Sequence, residues 1–180
     1  MAHLTVSVEY GIHCLLWLVD SGDMPLSSRD LAELQGISPS FVAKIFPRLE
    51  KAGIVTASEG LRGGYRLARQ PEEISFLQIV DAIEGNKPLF DCLEIRSRCA
   101  VFGETPPDWA TRGFCSIHQV MLKAEKAMRV ELAAHSLADV SASVSRKAPR
   151  KFFVQVHDWI TKRTNSRKLG RRPKMLDPPS

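Results

Sequence analysis

No run of apolar residues in this chain approaches the ~20 residues that a helix needs to cross a membrane. The apolar stretch at residues 12–19 is too short for a span, and Glu9 precedes it where a secretory leader would carry lysines. We therefore expect a soluble cytoplasmic protein that does not bind a membrane. With 180 residues, the chain is long enough for one principal domain and an appended element.

Cysteine is scarce, and its spacing excludes several common kinds of site. The four cysteines are Cys14, Cys92, Cys99 and Cys115, and the last three are separated by six and fifteen residues. This spacing matches no zinc finger, zinc ribbon or CxxC redox motif. In a cytoplasmic protein such cysteines indicate reduced thiols, metal ligation or redox sensing. Cys14 lies among leucines and is expected in the core.

Acidic residues are nearly absent from residues 162–180, which hold seven basic residues and one acidic residue. The whole chain has a net charge of +5, so the remaining body is close to neutral. A basic tail on a near-neutral body is typical of contact with nucleic acid or another polyanion, although such tails can also be only solubilising. We expect this tail to be disordered.

Helix and turn signals in residues 1–85 predict a winged helix-turn-helix. An apolar first helix is followed by two short helices, which are joined by the turn sequence QGIS and end near Gly36 and Gly53. Two short strands then bracket the glycine-rich segment SEGLRGG as a wing, and a further helix runs from Ser75 to Gly85. The predicted fold class is mainly α with a small β-wing.

Beyond residue 85 the pattern changes. Residues 86–116 contain three cysteines and no clear helical period, which predicts a long structured loop. Residues 117–161 begin with a long amphipathic helix, followed by a short helix and an apolar packing segment. The long helix could cap the core of its own subunit, but it is longer than a small domain needs. We interpret it as a dimerisation helix.

The second helix of the helix-turn-helix and the wing carry the candidate DNA-binding residues. Between residues 38 and 70 there are six basic residues and two acidic ones, so this surface is electropositive. Hydroxyl and basic side chains contact base edges and phosphates, and a wing tip contacts the backbone or a minor groove. The candidates are Ser38, Ser40, Lys44 and Arg48 on the helix and Arg62 at the wing tip. The predicted partner is a double-stranded DNA operator.

Two groups of residues could hold a metal. Glu9 and His13 are four residues apart in an apolar helix, so both project from one face. A solvated strip or an internal hydrogen bond would also explain this pair. Three cysteines within 24 residues, together with His118, form a local concentration of ligands suited to an iron-sulfur cluster or another thiophilic metal.

Several motifs taken together resemble one known family. They are the first helix, LAELQGISPSFVAKIFPRLEKAGIV, the wing GLRGGYRLAR, the helix ISFLQIVDAIEG and the cysteine-bearing loop. In this order they are similar to the IscR and NsrR family of dimeric winged-helix regulators that carry iron-sulfur clusters. The resemblance covers residues 1 to about 140 and leaves out the basic tail.

Most of that family has three loop cysteines at shorter intervals, whereas an insertion around GETPPDWATRG displaces the third cysteine here. The combination of VEYGIHC, FDCLEIRSR and GFCSI resembles the RsrR branch, in which two cysteines, a glutamate and a histidine hold a 2Fe-2S cluster. The resemblance places these ligands on Glu9, His13, Cys92 and Cys115, with Cys99 and His118 as alternatives. It also implies that the first helix of one subunit meets the loop of its partner.

The resemblance implies a homodimeric, sequence-specific transcriptional regulator, expected to be a repressor, whose DNA affinity depends on the redox state or presence of a 2Fe-2S cluster. Imidazole ligation raises a cluster's potential and adds a protonation step, which suits a sensor. We expect Tyr10, beside Glu9, to act as the switch. The alternative is a cluster-free thiol/disulfide switch. An enzyme is not favoured, because neither a nucleophile signature nor a site for a small-molecule substrate is recognisable.

Overall fold

The computed structural model of the chain describes residues 4–58 and 63–168, and the chain divides into two compact units. The first unit contains residues 1–85 and 133–180, and the second contains residues 86–132. Within the described ranges, no helix is both long and apolar enough to cross a membrane. Arg62 at the wing tip and the basic segment from residue 169 lie outside the described residues.

Four helices and a β-hairpin build the N-terminal part of the first unit. The elements are α1 (Val6–Ser21), α2 (Ser28–Gln35), α3 (Pro39–Lys51), β1 (Val55–Ser58), β2 (Gly64–Leu67) and α4 (Phe76–Glu84). The two strands pair antiparallel, with Val55 opposite Leu67 and Ser58 opposite Gly64. This order of elements confirms the predicted winged helix-turn-helix with a small β-wing.

Local sequence signals determine where these helices begin and end. The Ser27 hydroxyl accepts a hydrogen bond from the backbone N–H of Asp30, and the Asp30 carboxylate accepts one from the N–H of Ser27. Ser75 and Gln78 form the same reciprocal pair at the start of α4. Gly36 ends α2 with a φ of 69°, a left-handed conformation that costs glycine little because it has no Cβ.

The core of the first unit forms where α1 meets its neighbouring helices. Most of its fully buried side chains come from α1 to α4 and the segments between them, and they include Leu15, Leu18, Leu26, Leu31, Phe46, Leu49, Ile54, Ile79 and Ile83. The C-terminal helices add Leu137 and Ile160. Cys14 is only 1% exposed, which confirms the prediction that it is a core residue. Burial raises the pKa of its thiol to about 12, because the thiolate would lose its hydration.

Two C-terminal helices complete this unit, α7 (Leu137–Lys147) and α8 (Arg150–Lys168). α8 packs on α1, where the rings of Trp17 and Phe152 are 6.2 Å apart between centroids. The buried Arg163 of α8 forms an ion pair with Glu33 of α2 and lies 4.8 Å from the ring centroid of Trp159. Lys162 and Arg163, which the charge pattern groups with the tail, therefore belong to a packed helix.

The second unit contains two short 3-10 helices, Ile95–Arg98 and Ala100–Phe102, and the short helix α5 (Asp108–Thr111). The segment predicted as a structured loop therefore has helical turns within it. The long helix α6 (Ser116–Ala134) follows and agrees with the predicted amphipathic helix. None of the residues of α6, all of which are described, is buried, and its exposed apolar side chains include Ile117 and Val120.

Candidate nucleic-acid interface and cysteine-loop site

Exposed polar residues follow one face of α3, opposite the buried face that packs in the core. They include the four residues predicted from the sequence, Ser38, Ser40, Lys44 and Arg48. The Ser38 hydroxyl caps α3 by accepting from the N–H of Ser40, and the two hydroxyl oxygens are 2.7 Å apart. Arg48 donates from Nη1 to the carbonyl oxygen of Ile83 at 2.6 Å. Part of the Arg48 guanidinium therefore joins α3 to α4, while Lys44 is exposed.

The wing is fixed at its base. Leu26, just before α2, and Tyr65 of β2 exchange two backbone hydrogen bonds of 3.0 and 2.8 Å. The ring of Tyr65 also lies 4.7 Å from that of the buried Phe46, between centroids. Arg66, on the exposed face of β2, adds a basic side chain to this surface. The wing therefore has a defined position beside α3.

The α1 pair predicted as ligands lies in the first unit, and both Glu9 and His13 are exposed. Tyr10, next to Glu9, is half-buried and makes an edge-to-face contact with Phe41 of α3, with the ring centroids 5.2 Å apart. This contact joins the helix that carries Glu9 and His13 to the helix that carries the candidate DNA-binding residues. The role of Tyr10 as a switch stays a prediction.

The second unit brings several potential ligands together. The Cys92 sulfur, a Glu94 carboxylate oxygen and a His118 ring nitrogen lie within 4.8 Å of one another. The side chain of Cys115 is also next to that of Cys92, since each thiol affects the pKa of the other. Cys115 immediately precedes α6. His118 lies three residues later, so the two side chains project from the same face of this helix. Two predicted ligands, Cys92 and Cys115, and one predicted alternative, His118, are therefore neighbours. We call these three residues with Glu94 the loop cluster.

The two thiols of the loop cluster differ in acidity. The backbone N–H of His118 is the main cause that lowers the pKa of Cys115, and it outweighs the opposing effect of desolvation. The backbone N–H of Glu94 also favours the Cys92 thiolate. Desolvation and the negative charges of Glu94 and Cys115 nevertheless raise the pKa of Cys92. Cys115 is therefore the more acidic of the two thiols.

Glu94 was not among the residues predicted from the sequence. Hydrogen bonds from the Arg96 guanidinium are the main cause that lowers its pKa, so Glu94 is a carboxylate at neutral pH. The spacing of Cys92 and Glu94, with one residue between them, is the sequence signal that could have revealed it. That signal is weak, because the side chains meet only through the backbone turn at Glu94, where φ is 48°.

Cys99 lies near one member of the loop cluster, Cys115. It is exposed and lines an open hollow of about 380 Å³ together with Arg96, Phe102, Trp109 and Cys115. The rings of Phe102 and Trp109 meet edge to face at 5.6 Å between centroids, so part of the inserted segment forms an aromatic wall of this hollow.

Residues 4–143 match the model of the Rrf2 family, described as an iron-dependent transcriptional regulator, and the chain therefore belongs to this family. The chain is 33% identical over 143 residues to the protein rrf2 of Nitratidesulfovibrio vulgaris, covering 79% of this chain and 89% of that protein. It is 29% identical over 142 residues to the transcriptional repressor NsrR of Streptomyces coelicolor, covering 78% and 88% of the two chains.

The fold is also similar to that of a solved structure, T. potens IscR, with a TM-score of 0.61 and 24% identity over 84% of this chain and 96% of that one. These matches confirm the family resemblance and the fold class. They also confirm that the protein is a transcriptional regulator and not an enzyme.

Proposed function

We propose that this protein is a cytoplasmic homodimeric repressor that binds a DNA operator and responds to a 2Fe-2S cluster held at the cysteine loop. The observation that carries the proposal is the loop cluster, in which ligand atoms of Cys92, Glu94 and His118 lie within 4.8 Å of one another and Cys115 adjoins Cys92. Thiolate and imidazole are ligands that iron-sulfur clusters use, and Glu94 adds a carboxylate oxygen at the same place.

DNA binding is assigned to α3 and the wing. The exposed Ser40 and Lys44 lie on the first turns of α3, where a recognition helix contacts base edges and phosphates. Arg66 and the predicted wing-tip residue Arg62 would add contacts with the DNA backbone. The fixed base of the wing supports this assignment, because a wing held in place can contact DNA in one register with α3.

The homodimer is assigned to α6. Ile117 and Val120 are 67% and 63% exposed, and Val130 farther along the helix is 60% exposed. A helix rarely leaves several large apolar side chains in water, so a second copy of the same helix is proposed to cover them.

Two ligand sets are compatible with the proposal, and Cys92 and Cys115 are common to both. The first set is the predicted one and adds Glu9 and His13 from α1. The second set adds His118, with Glu94 or Cys99 as its fourth member. When bound, the cluster would supply a one-electron redox change close to the residues that hold it.

Anaerobic purification followed by iron and sulfide analysis and visible absorption tests the cluster, and two matched histidine variants test its ligands. If the predicted set is correct, His13→Ala changes the spectrum while His118→Ala and Cys99→Ala leave it unchanged. If the second set is correct, His118→Ala changes the spectrum and His13→Ala does not. Wild-type protein without iron or sulfide after anaerobic purification would reject the cluster.

The proximity of the Cys92 and Cys115 thiols favours one alternative, a thiol/disulfide switch without a cluster. Oxidation would then join these two sulfurs and change DNA affinity reversibly. Colourless protein whose operator affinity changes on treatment with oxidised glutathione, and no longer does so in Cys92→Ser, would support this alternative over the cluster.

A further inference from the structure

We infer that Arg96 is a positioning residue that ties together the two arms of the cysteine loop and thereby sets the separation of Cys92 and Cys115. The inference rests on the proposed function, in which these two thiols act as a pair. It is supported by contacts of Arg96 within the second unit. The first arm is the segment that follows Cys92 and contains Glu94, and the second arm is the segment that precedes Cys115 and contains Gly113.

Arg96 contacts the first arm through hydrogen bonds to the Glu94 carboxylate. Its Nε and Nη2 atoms donate to the same carboxylate oxygen of Glu94, at 2.9 and 2.7 Å. Charge-assisted hydrogen bonds of this length are among the stronger ones in proteins. The other carboxylate oxygen of Glu94 lies 3.6 Å from the sulfur of Cys92. The guanidinium is therefore linked to Cys92 through a single side chain.

Arg96 contacts the second arm through a hydrogen bond to the backbone of Gly113. Its Nη2 also donates to the carbonyl oxygen of Gly113 at 3.0 Å, seventeen residues along the chain. Gly113 is two residues before Cys115. One guanidinium group therefore closes the loop between the two cysteines. A lysine could not reproduce this arrangement, because its ammonium is a single point of attachment and the guanidinium is a planar fork.

The backbone at Glu94 is consistent with a turn that these contacts hold. Among the described residues, Glu94 is the only one other than glycine with a positive φ, at 48°. A left-handed conformation costs a residue with a Cβ free energy, and it persists where surrounding contacts fix it. Here the conformation directs the Glu94 carboxylate to both Arg96 and Cys92.

The test uses phenylarsine oxide on reduced, metal-free protein in a Cys99→Ala background. Its arsenic binds two neighbouring thiols: two As–S bonds form, and the arsenic-bound oxygen leaves as water with the two thiol protons, without net oxidation. Because a fixed pair of thiols has a high effective concentration, affinity for this probe reports how closely Cys92 and Cys115 are held. Cys92→Ser should abolish tight binding and so show that the pair is the site.

Arg96→Gln should weaken binding of phenylarsine oxide on the order of fivefold to tenfold, since the lost contacts are charge-assisted but partly exposed. Arg96→Lys should fall between Arg96→Gln and wild type. Arg112→Gln is the matched control, because Arg112 forms an ion pair with Asp108 in the same segment, with both side chains highly exposed. It should bind like wild type.

Equal affinity in Arg96→Gln and wild type would overturn the inference, and so would an equal loss in Arg96→Gln and Arg112→Gln. Circular dichroism of the variants shows whether the helices are retained, and if Arg96→Gln does not fold, Arg96→Lys gives the same comparison. The assay contains no iron. Failure of the cluster proposal therefore leaves this result interpretable, and failure of the Arg96 inference leaves the cluster proposal untouched.

Discussion

The close approach of the wing to the segment before α2 leads to a prediction about Gly64. A Cβ at this position would lie 2.6 Å from the carbonyl carbon and oxygen of Leu26 and 2.9 Å from the backbone nitrogen of Ser27. These are backbone atoms, so no side-chain rotation can relieve the contact. Gly64→Ala must therefore move β2 away from Leu26 by roughly 1 Å to reach an ordinary contact distance.

Such a movement breaks the two hydrogen bonds between Leu26 and Tyr65, each worth on the order of 1 kcal/mol net. It also loosens the packing of Leu26, which is 1% exposed. The substitution also raises the free energy of unfolding by about 0.5–1 kcal/mol, because alanine loses less backbone entropy than glycine on folding. The expected result is a free energy of unfolding lower by about 2 kcal/mol, with weaker operator binding because the wing is displaced.

Urea unfolding followed by circular dichroism measures the stability, and a gel-shift titration measures operator affinity. Gly85→Ala is the control, because Gly85 has a φ of 80° and open space where a Cβ would lie. It should lose about 1–3 kcal/mol, because its φ of 80° and ψ of 167° lie in a region adopted almost only by glycine, and it should keep the wing in place and operator affinity unchanged. A loss below about 0.5 kcal/mol in Gly64→Ala would falsify the reasoning, because the close contact would then cost almost nothing.

Three further predictions concern other parts of the first unit. Lys44→Ala combined with Arg62→Ala should weaken operator binding and leave the dimer intact, and unchanged affinity in a gel-shift titration would reject this surface. The free energy of unfolding should fall as the pH rises from about 9 toward 12, because the unfolded Cys14 thiol ionises while the buried one keeps its proton. The slope should exceed that of Cys14→Ala by up to about 1.4 kcal/mol per pH unit, since groups such as Tyr65, whose pKa is also raised by burial, contribute to both proteins. Equal slopes in the two proteins would contradict the assignment. Arg163→Ala should lower the free energy of unfolding by about 1–3 kcal/mol, since it leaves Glu33 partly buried without its partner. A urea titration that gives the same midpoint for wild type and Arg163→Ala would show that this ion pair contributes nothing.

Most of the fold of the first unit could be predicted from local signals. Ser27, Ser75 and the glycines that end the helices act on their immediate neighbours in the chain, so they can be read from the local sequence. The helical period of α3 shows which of its faces is buried. The wing was predictable because two short strands flank a glycine-rich segment. The ion pair of Arg163 was not predictable, because it joins residues 130 positions apart and depends on how α8 packs.

The candidate site was predictable only in part. The cysteines and His118 stand out by residue type, and Cys115 and His118 share one face of a helix because they are three residues apart. Glu94 is an ordinary surface residue in the sequence, and its place beside Cys92 depends on a left-handed backbone. Neither composition nor periodicity in the sequence predicts a side-chain contact that depends on one unusual backbone angle.

The first unit is discontinuous along the chain, and this has a consequence for how the protein is made. Two backbone hydrogen bonds join its parts, from Phe76 to His135 at 2.9 Å and from Leu137 to Ile74 at 2.8 Å. Leu137 and Ile160 are fully buried, so the core lacks side chains until the ribosome has made residue 160. Helices α1 to α4 are synthesised first, but their core is completed only after the whole second unit has left the ribosome. A chain released early would therefore leave apolar surface on α1 uncovered and be subject to degradation.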